Sequence, residues 1–360
     1  MQRTTILGGG HGVASVLRAL RQEEHGLTVI VTVADDGGSS GRLRQRWGGP
    51  AVGDLRRSIV ALSDERAEAG IAFAAPLTLA DVGQHPLGNL MLRSLIGAFG
   101  DLETASAWLC EHLGISARLL PATAEPVSLV AQAGETVLIG ETAIGRTDVP
   151  IERLSFDPPS PEVPCAVIES IGHADCVLLA PGSLFTSALA VAALPDVRSA
   201  LSRTAARIVW LCNLEPEPET AGMTAAEHLA ALRRHNVQVD AVVYDPAAAL
   251  RFAPSELARE PLQAWARRLR GRERGVHDPV LLRAVLREIS RAPARPLRQS
   301  RQQVADDERS RARRSLHEAE ERAEVTRRRE AGDVEPVERG LEGLVEDREA
   351  VRDLDPVEHL

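Results

Sequence analysis

Apolar positions along this chain fall into two alternating patterns. The first is a set of short uninterrupted runs, each stopped by a polar or glycine-rich segment: Thr4–Leu7 in TTILGGGHG, the run opening LTVIVTVADD, and DCVLLAPGSLFTS near Asp175–Ala180. RIVWLCNLEPEPET at Arg207–Cys212 and VDAVVYDP at Val239–Tyr244 complete the set. Continuous apolar runs of this kind suit strands covered on both faces, as in a parallel sheet. The second pattern is helical spacing in GVASVLRALRQEE, SLFTSALAVAAL and TAAEHLAALRRH, and also over residues 53–64 and 84–113. Alternation of the two predicts an open, mostly parallel α/β sheet with right-handed crossovers and helices on both faces. Residues 115–157 differ, with short β-rich runs broken by Pro and Gly and partial period-two alternation. They predict a small antiparallel excursion that flanks or covers the sheet. HDPVLLRAVLREI, at 277–289, predicts a closing helix.

Beyond Ala292 the composition changes at APARPLRQSRQQ, and residues 301–360 hold 12 Arg and 18 Asp and Glu with few core formers. One folded α/β domain over 1–292 followed by a charged tail over 293–360, disordered or a solvated helix, is therefore expected. Hydrophobic residues make up 44% of the chain and aromatics only 3%, so the core must be aliphatic. No run of eighteen apolar residues exists, which gives the expectation of a cytoplasmic protein with no membrane insertion. The four cysteines, Cys110, Cys165, Cys176 and Cys212, form no CxxC pair and are expected as buried spectator thiols. A net charge of −9 argues against general nucleic-acid binding.

All 42 basic residues are arginine. A P-loop lysine and a Schiff-base lysine are therefore both excluded, and anions must be held by Arg forks, backbone N–H groups and helix N-termini.

Candidate chemistry collects where the runs end, beyond the carboxyl ends of the expected strands. In GGGHG, the glycines Gly9, Gly10 and Gly12 and the intervening His11 open a helix with bare backbone. Val13 breaks the dinucleotide fingerprint GxGxxG. In APGSLFTS, Pro181 and Gly182 turn the chain, Ser183 is placed to cap a helix, and Thr186 follows in its first turn. TVADDGGSSGRLR sets two carboxylates side by side, Asp35 and Asp36, either for ribose hydroxyls or for a divalent cation such as Mg2+ that bridges phosphate. Ser39, Ser40, Arg42 and Arg44 then offer donors to the same anion. Asp54 is a candidate N-cap and Arg56 a fork in GDLRRSIVAL, while His85, Gly88 and Asn89 stand at a helix start in GQHPLGNLML. Asn213, Glu219, Thr220 and Gly222 follow a strand end, ahead of a helix carrying His228. There, Thr224 and Glu227 have capping-box spacing. The glycine-rich turn and the Ser183 cap also serve as plain turn chemistry, so residue types alone reach an anion- or nucleotide-binding α/β protein.

ILGGGHG, VTVADDGGSSGRLR, GDLRRSIVAL, HPLGNLML, LLPAT, GE at 140–141, APGSLFTS and LCNLEPEPET…GMTAAEHL occur in the order found in the YvcK, or gluconeogenesis-factor-like, family. This family shares a superfamily with 2-phospho-L-lactate transferase, CofD. The resemblance covers roughly residues 3–290, with ADDGGSSGRLR the most specific stretch. It implies a Rossmann-like core binding a nucleotide-diphosphate compound between its strand ends. On the YvcK side the implied ligand is UDP-N-acetylglucosamine or a similar UDP-sugar, and the role is regulation of carbon flux towards cell-wall precursors and cell shape. On the CofD side it is transfer of a phospholactyl-type group from a guanosine diphosphate adduct to a deazaflavin, with magnesium. GGSSGRLR favours the first, and a homo-oligomer fits either. Departures from the family are His11 for Thr, Ala180 for Gly, Phe185 for Tyr, and NLEPEPET for a usual Asn…Gln-Gly-Glu-Thr.

Overall fold

Ile6 and Leu7 have no exposed surface on either face of the strand Thr4–Gly8 (β1), because β1 lies inside a sheet with neighbours on both sides. In the computed structural model, which describes residues 3–291 apart from 24–25, 64–67, 80–82 and 259, β1 pairs in parallel with Leu27–Val31 (β2) and with Cys176–Leu179 (β9). The hairpin Pro76–Leu79 (β3) and Gly83–Pro86 (β4) stands apart, and Arg118–Pro121 (β5) adds to β2. Ser128–Ala133 (β6), Thr136–Ile139 (β7) and Arg153–Asp157 (β8) form a separate antiparallel sheet in the order β7-β6-β8. Arg207–Leu211 (β10), Ala241–Tyr244 (β11) and Gln263–Ala266 (β12) extend the main sheet, whose seven parallel strands run β12-β11-β10-β9-β1-β2-β5.

The chain builds outward from β1 in one direction, then returns to its other side at β9 and builds the opposite way. Growth of the sheet therefore reverses between β1 and β9, and the carboxyl ends of strands at such a reversal are the usual ligand position in an open α/β sheet. Helices cover both faces. Gly10–Leu20 (α1) buries Val13, Val16 and Leu17 and packs against Gly53–Leu62 (α3) and Pro279–Arg291 (α13), the closing helix expected at 277–289. Gly38–Trp47 (α2) follows β2; Glu68–Ala74 (α4), Leu87–Phe99 (α5) and Leu102–His112 (α6) precede β5. A single-turn helix Glu141–Ile144 (α7) follows β7, and Cys165–Gly172 (α8) leads into β9.

The structure redraws several expected boundaries. Arg118–Pro121, read as the start of the antiparallel excursion, is instead an edge strand of the main sheet, since its apolar Leu119 and Leu120 are buried there. Gln263–Ala266 was not foreseen; only Trp265 of this edge strand is buried, so no apolar run marks it. Residues 83–86, assigned to a helical stretch, pair with β3, because Pro86 stops the helix from beginning before Leu87. SLFTSALAVAAL opens with a wide π turn at Leu184–Ala188 before Leu189–Ala192 (α9) continues as α-helix. Cys165 is exposed at the start of α8, contrary to expectation, because the α8 face buried against the core carries Val167 and Ile171 instead. The other cysteines are buried, and burial pushes the Cys176 thiol up to about 12.

No single helix among the described residues is long and apolar enough to cross a membrane. A bent pair, Leu184–Ala192 with Pro195–Arg203 (α10), reaches that length and composition, and Leu184–Leu194 is buried in the core. The expected tail over 293–360 lies outside the described residues.

Candidate functional site

At the carboxyl ends of β1 and β9, the first turn of α1 passes so close to the loop after β9 that any side chain at Gly12 would overlap the Pro181 carbonyl. The Ser187 hydroxyl fastens the two by accepting from Gly9 N at 2.7 Å and donating to Gly9 O at 3.0 Å. Asn213, beyond β10, clamps Gly182 from the other side: its Oδ1 accepts Gly182 N at 2.6 Å and its Nδ2 donates to Gly182 O at 2.7 Å. Ser183 caps the π turn by accepting Thr186 N at 2.9 Å, and donates its own proton to Glu219. Burial raises the Glu219 pKa above the usual carboxylate range. Thr220 Oγ1 accepts Glu217 N at 3.1 Å in the short turn that follows. The polar groups of Asn213, Ser183 and Thr220 are thus taken up in shaping the loops. Downstream, Thr224 and Glu227 form the expected capping box of Ala225–Arg234 (α11).

The N-terminus of α1 already faces an anion. Gly10 N donates to Asp54 Oδ2 at 2.9 Å, and the other oxygen of Asp54 pairs with Arg57. Asp54 was expected to cap its own helix. It lies instead in the first turn of α3, where Val52 holds the cap position, and it completes the neighbouring α1 terminus. Burial raises its pKa, with the Arg57 charge opposing. His11 is exposed on the first turn of α1.

A cavity of about 500 Å³ opens beside this framework, where the first turns of α2, α3, α5 and α7 converge. The protein thus directs several positive helix ends at one space. Arg56, Arg57 and Arg146 line it together with Ser39, Ser40 and Thr186.

The adjacent aspartates avoid each other by turning apart. Asp35 Oδ1 accepts Gly37 N at 2.8 Å in its own turn and lines the cavity. Asp36 Oδ1 reaches across to accept Thr142 N at 2.9 Å and Thr142 Oγ1 at 2.7 Å, tying α7 to the start of α2. No group of three or more His, Cys, Asp or Glu among the described residues is arranged to hold a metal ion. Arg44, expected as an anion donor, gives its protons to the Ala34, Asp35 and Val127 carbonyls and pins the strand end to the antiparallel sheet.

Behind Ser39 lies a buried polar chain. Ser39 Oγ meets His85 Nδ1 at 2.7 Å, and Asn89 Nδ2 donates to Ser39 Oγ at 2.9 Å. His85 itself sits on β4 and has no exposed surface.

The described residues contain four buried side-chain polar atoms without a hydrogen-bond partner, and three of them, Arg56 Nε, Asn89 Oδ1 and Glu141 Oε2, belong to residues lining this cavity. Leaving a buried polar atom unpaired costs about 1–3 kcal/mol, so such atoms clustered around a cavity point to a ligand that satisfies them. Burial lowers the Arg56 pKa from its usual value. Burial, followed by the Asp35 and Asp54 charges, pushes Glu141 up to about 9.

Of the expected site residues, Asp35, Ser39, Ser40, Arg56, Asn89 and Thr186 share the cavity wall. Asp36, Arg44, Asp54 and His85 stand behind that wall as supports, and the glycine loop with Pro181, Gly182, Ser183, Asn213 and Thr220 forms the adjoining framework. Sequence reading gave no role to Glu141, Thr142, Arg57 or Arg146. The available signal was Gly140, whose φ of +94° lets the chain turn from β7 into α7 and present the next two residues at a helix start.

Comparison with known proteins adds a family. The model for 2-phospho-L-lactate transferase CofD matches residues 4–265. A candidate gluconeogenesis factor of Deinococcus radiodurans is 34% identical over 81% of this chain and 67% of its own length. One from Nostoc is 36% identical over 64% of this chain, which spans about half (51%) of that protein. One from Mycobacterium tuberculosis is 35% identical over 78% of this chain and 88% of its own. Among solved structures, a UPF0052 family member from Bacillus halodurans superposes with a TM-score of 0.75 at 27% identity, covering 79% of this chain and 98% of its own.

Proposed function

Because this chain belongs to the gluconeogenesis-factor family and carries a CofD-type domain, we propose that its cavity binds a nucleoside-diphosphate sugar, with UDP-N-acetylglucosamine or a close UDP-sugar the favoured ligand. The observation that carries this reading is the cluster of unpartnered polar atoms from Arg56, Asn89 and Glu141 around a cavity that the starts of α2, α3 and α5, with Arg56 and Arg146, make attractive to phosphate. In this reading the protein is a cytoplasmic regulator. Occupancy of the cavity reports the supply of cell-wall precursor and links carbon metabolism to wall synthesis and cell shape.

A panel of UDP-sugars, guanosine diphosphate compounds and NAD, followed by thermal melting, tests it. A UDP-sugar at a hundred times its dissociation constant should stabilise the protein by about 2.7 kcal/mol, and NAD should not. Stabilisation by guanosine compounds alone would overturn the UDP preference.

The Ser39 hydroxyl against His85 Nδ1 at 2.7 Å favours a second reading, because a hydroxyl held on an imidazole is also a group-transfer arrangement. The protein would then be a transferase moving a phospholactyl-type group from a guanosine diphosphate adduct to a deazaflavin. Turnover of that acceptor would establish it.

A further inference from the structure

We propose that Glu141 is the residue by which the cavity recognises an uncharged oxygen of its ligand, donating its carboxyl proton to a hydroxyl or carbonyl of the sugar portion. This assignment rests on the nucleotide-sugar reading above. Glu141 lines the cavity, and its Oε2, packed against the wall, has no hydrogen-bond partner within the protein, so a ligand oxygen that meets the carboxyl as it turns towards the cavity would supply one.

The charges facing the carboxyl decide which form it takes. Asp35, Asp54 and Asp36 surround it, and the opposing Arg57 is already paired with Asp54. Arg56 and Arg146 complete the charged lining. With its pKa near 9, the group carries its proton at neutral pH and acts as a donor. A phosphate would be repelled by Asp35 and Asp36 and attracted by Arg56 and Arg146, whereas the neutral carboxyl of Glu141 meets an uncharged oxygen without that repulsion.

A second, independent feature points to the same ligand chemistry. Asn89, which lines the cavity, is 2% exposed, and its Nδ2 is committed to Ser39, which leaves its buried Oδ1 as an unfilled acceptor. A sugar, whose hydroxyls both donate and accept, offers partners to an acid proton and to an amide oxygen. Glu141 is also held in place: Asp36 fixes the next residue, Thr142, through both its N–H and its hydroxyl.

Calorimetry with UDP-N-acetylglucosamine and with UDP, on wild-type, Glu141→Gln and Glu141→Ala proteins, tests the assignment. Gln keeps a neutral donor of nearly the same shape, so Glu141→Gln should bind the UDP-sugar within about threefold of wild type. Glu141→Ala should lose about tenfold to a hundredfold for the UDP-sugar and much less for UDP. If Glu141→Gln fails as badly as Glu141→Ala, the group acts as a carboxylate, for instance towards a cation, and the assignment is overturned. Equal losses for UDP and the UDP-sugar in Glu141→Ala would overturn the placement of the sugar. Wild-type protein that binds neither compound would overturn the functional reading itself, an outcome distinct from failure of the variants alone.

Discussion

Replacing Glu141 by Gln should make the unliganded protein more stable at neutral pH and remove much of its loss of stability as pH rises. The carboxyl titrates near 9 in the fold against 4.5 as its ordinary value. Below 4.5 it is protonated in both folded and unfolded chains and costs nothing. Between the two values, folding takes up a proton, so stability falls with pH by about 1.4 kcal/mol per unit. At pH 7 the accumulated cost is about 3 kcal/mol, and Gln escapes it because it never ionises. Asp54 shifts in the same direction but is unchanged in the variant, so the difference between the two proteins isolates Glu141. Urea unfolding of both at pH 5.5 and 7.5 measures it. Parallel pH dependences, or a variant weaker than wild type at pH 7.5, would show that Glu141 is ionised in the fold.

A comparable loss of stability is expected from Gly12→Ala. Gly12 has ordinary helical backbone, so the usual glycine argument from positive φ does not apply there. Contact decides instead: a methyl would occupy the position of the Pro181 carbonyl, and two backbone segments at the centre of the sheet would have to separate. The cost should be about 3 kcal/mol or more, with UDP-sugar binding weakened as the β1 and β9 loops part. Gly10→Ala is the control. Gly10 has a φ of +64° but nothing lies within 4 Å of an added methyl, so only backbone strain of about 1 kcal/mol is expected. Equal midpoints for Gly12→Ala and Gly10→Ala in denaturant unfolding would refute the close approach.

The strand ends were legible because burial on both faces forces continuous apolar runs, and those runs stop where the sheet does. Edge strands escaped that logic. Gln263–Ala266 buries one large side chain, and Arg118–Pro121 resembles the antiparallel segment that follows it. Residue types at the strand ends indicated anion chemistry, but not which donors face the cavity and which face the protein. Arg44 reads as an anion fork and is consumed by carbonyl groups, while Asp54 reads as a cap for α3 and serves α1. Asp35 and Asp36 read as one pair, yet one holds its own turn and the other a helix over a hundred residues away. Glu141 stood in the GE stretch at 140–141 without a legible role, because its importance comes from enclosure and from acids on other elements, which no local spacing records.

The central claim is that this cavity takes a nucleotide sugar against its arginines, and titration of UDP-N-acetylglucosamine into wild-type and Arg56→Ala proteins tests it most directly. Arg56 lines the cavity with a buried Nε that has no partner in the protein, so its loss should weaken binding by about tenfold to a hundredfold while leaving the melting temperature of the unliganded protein equal or higher. Wild-type affinity retained in Arg56→Ala, or a cooperatively folded wild-type protein that gives no binding heat, would contradict the account.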